Sequence, residues 1–168
     1  MGISASAFAH IAVEMAQLNP PIPYALGGRT RAGTDCSNLI RLIIRELGGK
    51  DIQAGSNSIW DKHVANKAFC HDGGTLKFGG ILEPGVLLWI DYNNPVTQNA
   101  KGTSGKMDHV GIYVGNVPGL VAANGKQGNV VHASLSQGKV CASTLQNAWT
   151  HGALLNALDY TGGGNAGD

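Results

Sequence analysis

Phe8, Ile11, Ala12, Met15 and Leu18 recur at three-to-four-residue intervals, which predicts an amphipathic first helix over 3–18. Asn19-Pro20-Pro21-Ile22-Pro23 ends it, because a residue before proline avoids the helical region. Leu39, Ile40, Ile43, Ile44 and Leu47 repeat the pattern over 36–47, with Arg41 and Arg45 four apart on the opposite side. Thr34 or Asp35 can cap this second helix, and Gly48-Gly49 can stop it. A weaker third helix is predicted over 58–69. Farther on the texture changes to short strands separated by turn residues, near 86–91, 109–115, 130–134, 139–143 and 154–160. Helices followed by a run of strands predict an α+β fold in which the N-terminal helices pack on a small antiparallel sheet. The polar stretches 92–108 and 116–129 flank the strand at 109 and read as long surface loops. Residues 161–168, Thr-Gly-Gly-Gly-Asn-Ala-Gly-Asp, read as a flexible tail or linker, leaving 1–160 as one domain.

Composition narrows the functional classes. With 168 residues, 43% of them apolar and 14% charged, the chain can bury a single core of ordinary size. Twelve Lys and Arg against 11 Asp and Glu give a net charge of +1, which offers no attraction to a nucleic-acid backbone or an anionic membrane. No apolar run is long enough to cross a bilayer. The first residues lack the features of a secretory signal, so the expectation is a protein made in the cytoplasm. Cys36, Cys70 and Cys141 are an odd number with no CxxC spacing, so at least one thiol is unpaired. His63, Cys70 and His71 match no common zinc spacing, and neither a metal nor a cofactor is expected. Trp60, Trp89 and Trp149 read as packing residues, Trp60 being a candidate to border a cleft.

Three residues stand out for chemistry. Cys36 falls at the first turn of the second helix, after Asp35 and a glycine-bearing loop, where unpaired backbone N–H groups and the helix dipole favour a thiolate. The same N–H groups can hold an oxyanion. His109 opens His109-Val110-Gly111-Ile112-Tyr113-Val114-Gly115. Strand alternation there puts Val110, Ile112 and Val114 on one face and His109, Gly111 and Tyr113 on the other. The imidazole thus lies off the aliphatic face beside a glycine, with the access a general base needs. His132, in Val130-Val131-His132-Ala133-Ser134, can orient that base, with Asn129 and Asp108 as competitors.

Taken in order, Pro23-Tyr24-Ala25-Leu26-Gly27-Gly28, Asp35-Cys36-Ser37-Asn38-Leu39, Leu82-Glu83-Pro84-Gly85, the strand from His109 and Val131-His132-Ala133-Ser134 form a series that resembles the NlpC family of papain-like cell-wall peptidases. The resemblance runs from about Pro23 to Ser134. It implies a small papain-like fold and cleavage of an amide bond in peptidoglycan stem peptides, through a Cys36 thiolate, His109 as base and His132 as third residue. It makes Tyr24, Ser37 and Asp35 the candidate substrate-binding residues. Asn38 and Leu26 depart from the family's small and aromatic residues, Val86 replaces an acid, and no arginine-bearing match occurs around Ser56-Asn57-Ser58. The two long loops are expected to shape specificity. A phage or prophage endolysin, acting on the wall after release, is the implied setting. The alternatives are an injected amidase effector with an immunity protein as partner, a protein acyltransferase or deamidase with the same dyad, and a non-catalytic binding module.

Overall fold

The computed structural model describes residues 2–71, 75–76, 82–91, 103, 105–145 and 149–160. The predicted tail at 161–168 and most of the 92–108 loop lie outside them. In chain order the elements are β1 (Ile3–Ser4), α1 (Ala5–Ala16), β2 (Arg29–Thr30), β3 (Gly33–Thr34), α2 (Cys36–Glu46), α3 (Ser56–Lys62), β4 (Val64–His71), β5 (Thr75–Leu76), β6 (Leu87–Asp91), β7 (Met107–Tyr113), β8 (Val130–Ser134), β9 (Lys139–Ser143), β10 (His151–Leu155) and β11 (Leu158–Asp159). Seven strands form an antiparallel sheet in the order β5-β4-β10-β6-β7-β8-β9, and β2 and β3 make a small hairpin ahead of α2. This is the expected α+β arrangement.

Each helix is fixed by its ends and its buried side. Ser4 caps α1 through a bond from the Ala7 N–H, so the first helix starts two residues later than predicted, and Ile3–Ser4 pairs with β11 instead. Asp35 is the cap of α2, accepting from the Asn38 N–H, and Gly48 takes the positive φ of 76° beyond its end. The buried sides of α1 and α2 (Phe8, Met15, Ile40, Ile43 and Ile44) pack with Ile59 and Trp60 on the inner face of the sheet, against Leu87, Trp89, Val110, Ile112, Val131 and Val140.

The helix predicted over 58–69 divides. It ends at Lys62, and 64–71 forms β4, because the backbone of β10 pairs with it from Val64↔Leu155 to Phe69↔His151, with a bulge where Asn66 takes φ 55°. The strand predicted over 154–160 also divides, into β10 and β11, at the Asn156–Ala157 turn. A smaller cluster of Leu88, Val130 and Trp149 covers the outer face of the sheet, joined by Tyr113.

Candidate active site

Strands β7 and β8 are hydrogen-bonded only at Ile112↔Val131 and Tyr113↔Val130. Continued, that register would join Gly111 to His132 and Val110 to Ala133, but there the strands part. Helix α2 packs across both strands, and its first residue reaches the opening. The half-buried Cys36 aims its thiol at the Asp108 carbonyl, 4.0 Å away, a weak contact, and the Val110 N–H also bonds to it. The sulfur therefore lies against the main chain on both sides of His109. His109 and His132 meet across the opening, His109 Nε2 lying 2.8 Å from His132 Nδ1. Cys36 thus lies against the main chain beside His109, and His109 is bonded to His132, while Asn129, a competitor for the third position, turns its amide to the Leu145 N–H and Asn116.

Charge and tautomer follow from the burial. Burial pushes His109 down to about 4, and burial together with the His109 charge pushes His132 down to about 3. Both rings are neutral at pH 7. When His109 Nε2–H donates to His132 Nδ1, His109 Nδ1 is left unprotonated, the state a base must occupy. Nδ1 has no other hydrogen-bond partner among the described residues. Burial also pushes the Cys36 thiol up; the Val110 N–H pulls it back, the Asp35 charge adds to the rise, and the Ser37 and Cys36 N–H groups offset part of it. Burial thus works against the thiolate expected from the helix N-terminus. The resting pair is thiol and imidazole, with three N–H groups in place for the sulfur's charge once the proton leaves.

The remaining candidates sit around this centre. Tyr24 extends the sheet past β9, its N–H bonding to the Gly138 carbonyl, and its phenol is pushed up by burial and then by the charges of Cys36 and Asp35, in whose field it stands. Asp35 and Ser37 are buried in the framework. The Asp35 carboxylate accepts from the Gly27 N–H (2.9 Å), the Asn38 N–H (2.9 Å), Asn38 Nδ2 (3.2 Å) and Ser37 Oγ (3.4 Å), which uses its four acceptor positions. Ser37 Oγ in turn accepts from the Gly55 N–H. These bonds hold the loop ahead of Cys36 and leave Tyr24 as the member of that trio not tied by its side chain into the framework of the described residues.

Two residues that the sequence did not single out for the site belong to its frame. Asn57 clamps the start of β7, accepting from the Met107 N–H and donating to Asp108 Oδ1. Trp149, read only as packing, lies against both histidine rings. Trp60 does not border the cleft; it is buried edge-on to Trp89 with ring centroids 5.0 Å apart. His63 accepts from the Gln53 N–H, and the side chains of Cys70 and His71 lie outside the described residues. Among the described residues no three His, Cys, Asp or Glu side chains cluster as a metal site would need. No helix among them is long and apolar enough to cross a membrane.

The NlpC/P60 family matches residues 22–158 of the chain. The fold is similar to the NlpC/p60 domain of the peptidoglycan hydrolase SagA, at 20% identity and a TM-score of 0.58 over 91% of this chain and 100% of that one. It is also similar to NlpC2 and NlpC1 from Trichomonas vaginalis. Their identities are 15% and 18%, with TM-scores of 0.59 and 0.57, over 95% and 90% of this chain. The chain spans 49% and 44% of those two proteins. No curated protein matches it in sequence.

Proposed function

As the chain belongs to the NlpC/P60 family, we propose that it is a cysteine peptidase or amidase of peptidoglycan whose nucleophile is Cys36. The observation that carries the assignment is the arrangement of three residues where the β7–β8 pairing ends. Cys36 lies against the backbone beside His109, and His109 is hydrogen-bonded to His132. A neutral His109 takes the thiol proton on Nδ1, and its Nε2–H bond to His132 disperses the imidazolium charge that results. The thiolate forms a C–S bond to the scissile carbonyl, and the carbonyl π electrons move onto oxygen. Backbone N–H groups at the start of α2, with the Tyr24 hydroxyl, receive that oxyanion. The C–N bond then breaks as His109 returns the proton to the leaving amine. Water, deprotonated by His109, releases the acyl group from sulfur.

The bond we assign is an amide of the stem peptide, and the setting we assign is that of a phage or prophage endolysin, acting on the wall after release. Residues 122–124 of the loop after β7 border, together with His132, Ser134 and Cys141, a concavity of about 230 Å³ beside the histidine pair. Incubation with purified muropeptides, with fragments identified by mass, tests the assignment. The unaltered chain should yield fragments cut within the peptide, and Cys36→Ala should yield none while keeping its circular dichroism spectrum. Equal digestion by Cys36→Ala would falsify the proposal.

A further inference from the structure

We propose that Trp149 is a positioning residue for the histidine pair: its indole covers the His109–His132 hydrogen bond on the outer face of the sheet, sets the plane of His109 and keeps water from the bond. This inference rests on the reading of His109 as the base. The three rings are mutually in contact. Trp149 stacks on His109 with centroids 5.5 Å apart and planes 27° apart, and it meets His132 at 5.5 Å and 83°. The two imidazoles lie 5.0 Å apart at 75°. Trp149 is itself only 3% exposed, seated with Leu88 and Val130.

The seat is made by Gly111. A Cβ at that position would lie 2.8 Å from the indole Cη2 and 3.1 Å from Val130 Cγ1, so a side chain there would push the indole off. The glycine between His109 and Tyr113 therefore makes room for a ring from the segment that follows β9.

The cover has a chemical consequence. The titratable groups around the pair are Cys36 and Asp35 from α2, Tyr24 ahead of the nucleophile loop, Asp108 and Tyr113 on β7, and Cys141 across from His132 on β9, with Lys139 at the far end of that strand. His151, two residues beyond Trp149, packs on Trp60 and Phe69 instead. The carboxylates of Asp35 and Asp108 would favour imidazolium, so exclusion of water is what holds the rings neutral, with His109 near 4. Uncovered, the pair would be hydrated and would protonate nearer the ordinary imidazole value of about 6.5. His109 would then be lost as a base at a pH where the intact protein still has it.

The test follows the histidine side chains by NMR through a pH titration of the full chain and of Trp149→Phe, Trp149→Ala and Gly111→Ala. In parallel, muropeptide cleavage is measured from pH 4 to 8. Trp149→Ala and Gly111→Ala should move the His109 midpoint upward toward about 6. Their cleavage rate should be about tenfold lower at pH 5 than at pH 8, whereas the unaltered chain changes less than about twofold. Trp149→Phe, which keeps a ring on the seat, should stay near the unaltered chain. Should Trp149→Ala not fold, Gly111→Ala decides. Unmoved midpoints in folded Trp149→Ala or Gly111→Ala, or a Trp149→Phe shift as large as that of Trp149→Ala, overturn the inference. A chain that cleaves no muropeptide at any pH but shows the midpoint shifts keeps the indole's role and defeats the assigned substrate instead.

Discussion

At the scale of single residues, the site depends on which protons are held at rest. Burial raises the thiol and lowers both imidazoles, so Cys36 in the free protein should react with iodoacetamide slowly at pH 6, its rate climbing with pH as for an ordinary or less acidic thiol. A rate that stays flat down to pH 5 would mean a resting thiolate–imidazolium pair and would overturn this description. On the proposed mechanism His132 acts through His109, so His132→Asn, which retains an acceptor toward Nε2, should keep more activity than His132→Ala. The alanine variant should lose on the order of 10²-fold in kcat, with KM little changed. Cys36 and His109 stand out in the sequence as candidates through local patterns, a helix start and the alternation of a strand, and the family resemblance joins the two. His132 stands in the sequence as one of three candidates for the third position, beside Asn129 and Asp108, and the family resemblance selects it among them. Trp149 and Asn57 could not be found that way. Their partners are 40 and 50 residues distant (149 − 109 and 107 − 57), and only the folded sheet brings them together.

Among the elements, α2 was the easiest to read and α3 the hardest, for one physical reason. Helix α2 carries its own instructions: a five-residue apolar side, an acid cap and a glycine stop. The stretch 58–71 has no such stop, and its second half becomes a strand because β10, more than 80 residues later in the chain (151 − 69 = 82), offers a backbone to pair with. The α2 cap also joins stability to chemistry. Asp35 ties the Gly27 loop and the first turn of the helix, and its charge raises the Cys36 thiol. Asp35→Ala should therefore cost about 1–2 kcal/mol, read from the urea midpoint, and should also lower the pH at which Cys36 alkylates. A variant that loses stability while its alkylation profile stays put would limit Asp35 to a structural cap.

For the molecule as a whole, the sheet is the frame, and where the β7–β8 pairing ends Cys36 of α2 lies against the main chain and two imidazoles face each other away from water. That arrangement has a cost that depends on pH. Both histidines have folded values, about 4 and about 3, below the ordinary value of 6.5, so between those limits the unfolded chain binds more protons than the folded one. Stability is then complete above about pH 6.5 and falls as pH drops toward 4, by up to about 3 kcal/mol for His109 alone. The Arg41–Asp51 and Arg31–Glu46 pairs, each partly open to solvent, also weaken on acidification but contribute little. The urea midpoint should thus decline steadily from pH 7 to pH 4, and a His109→Gln, His132→Gln double variant should flatten most of that decline. If the double variant keeps the full slope, the acid sensitivity belongs to groups elsewhere in the chain, and the two imidazoles are less shut off from water than their burial implies.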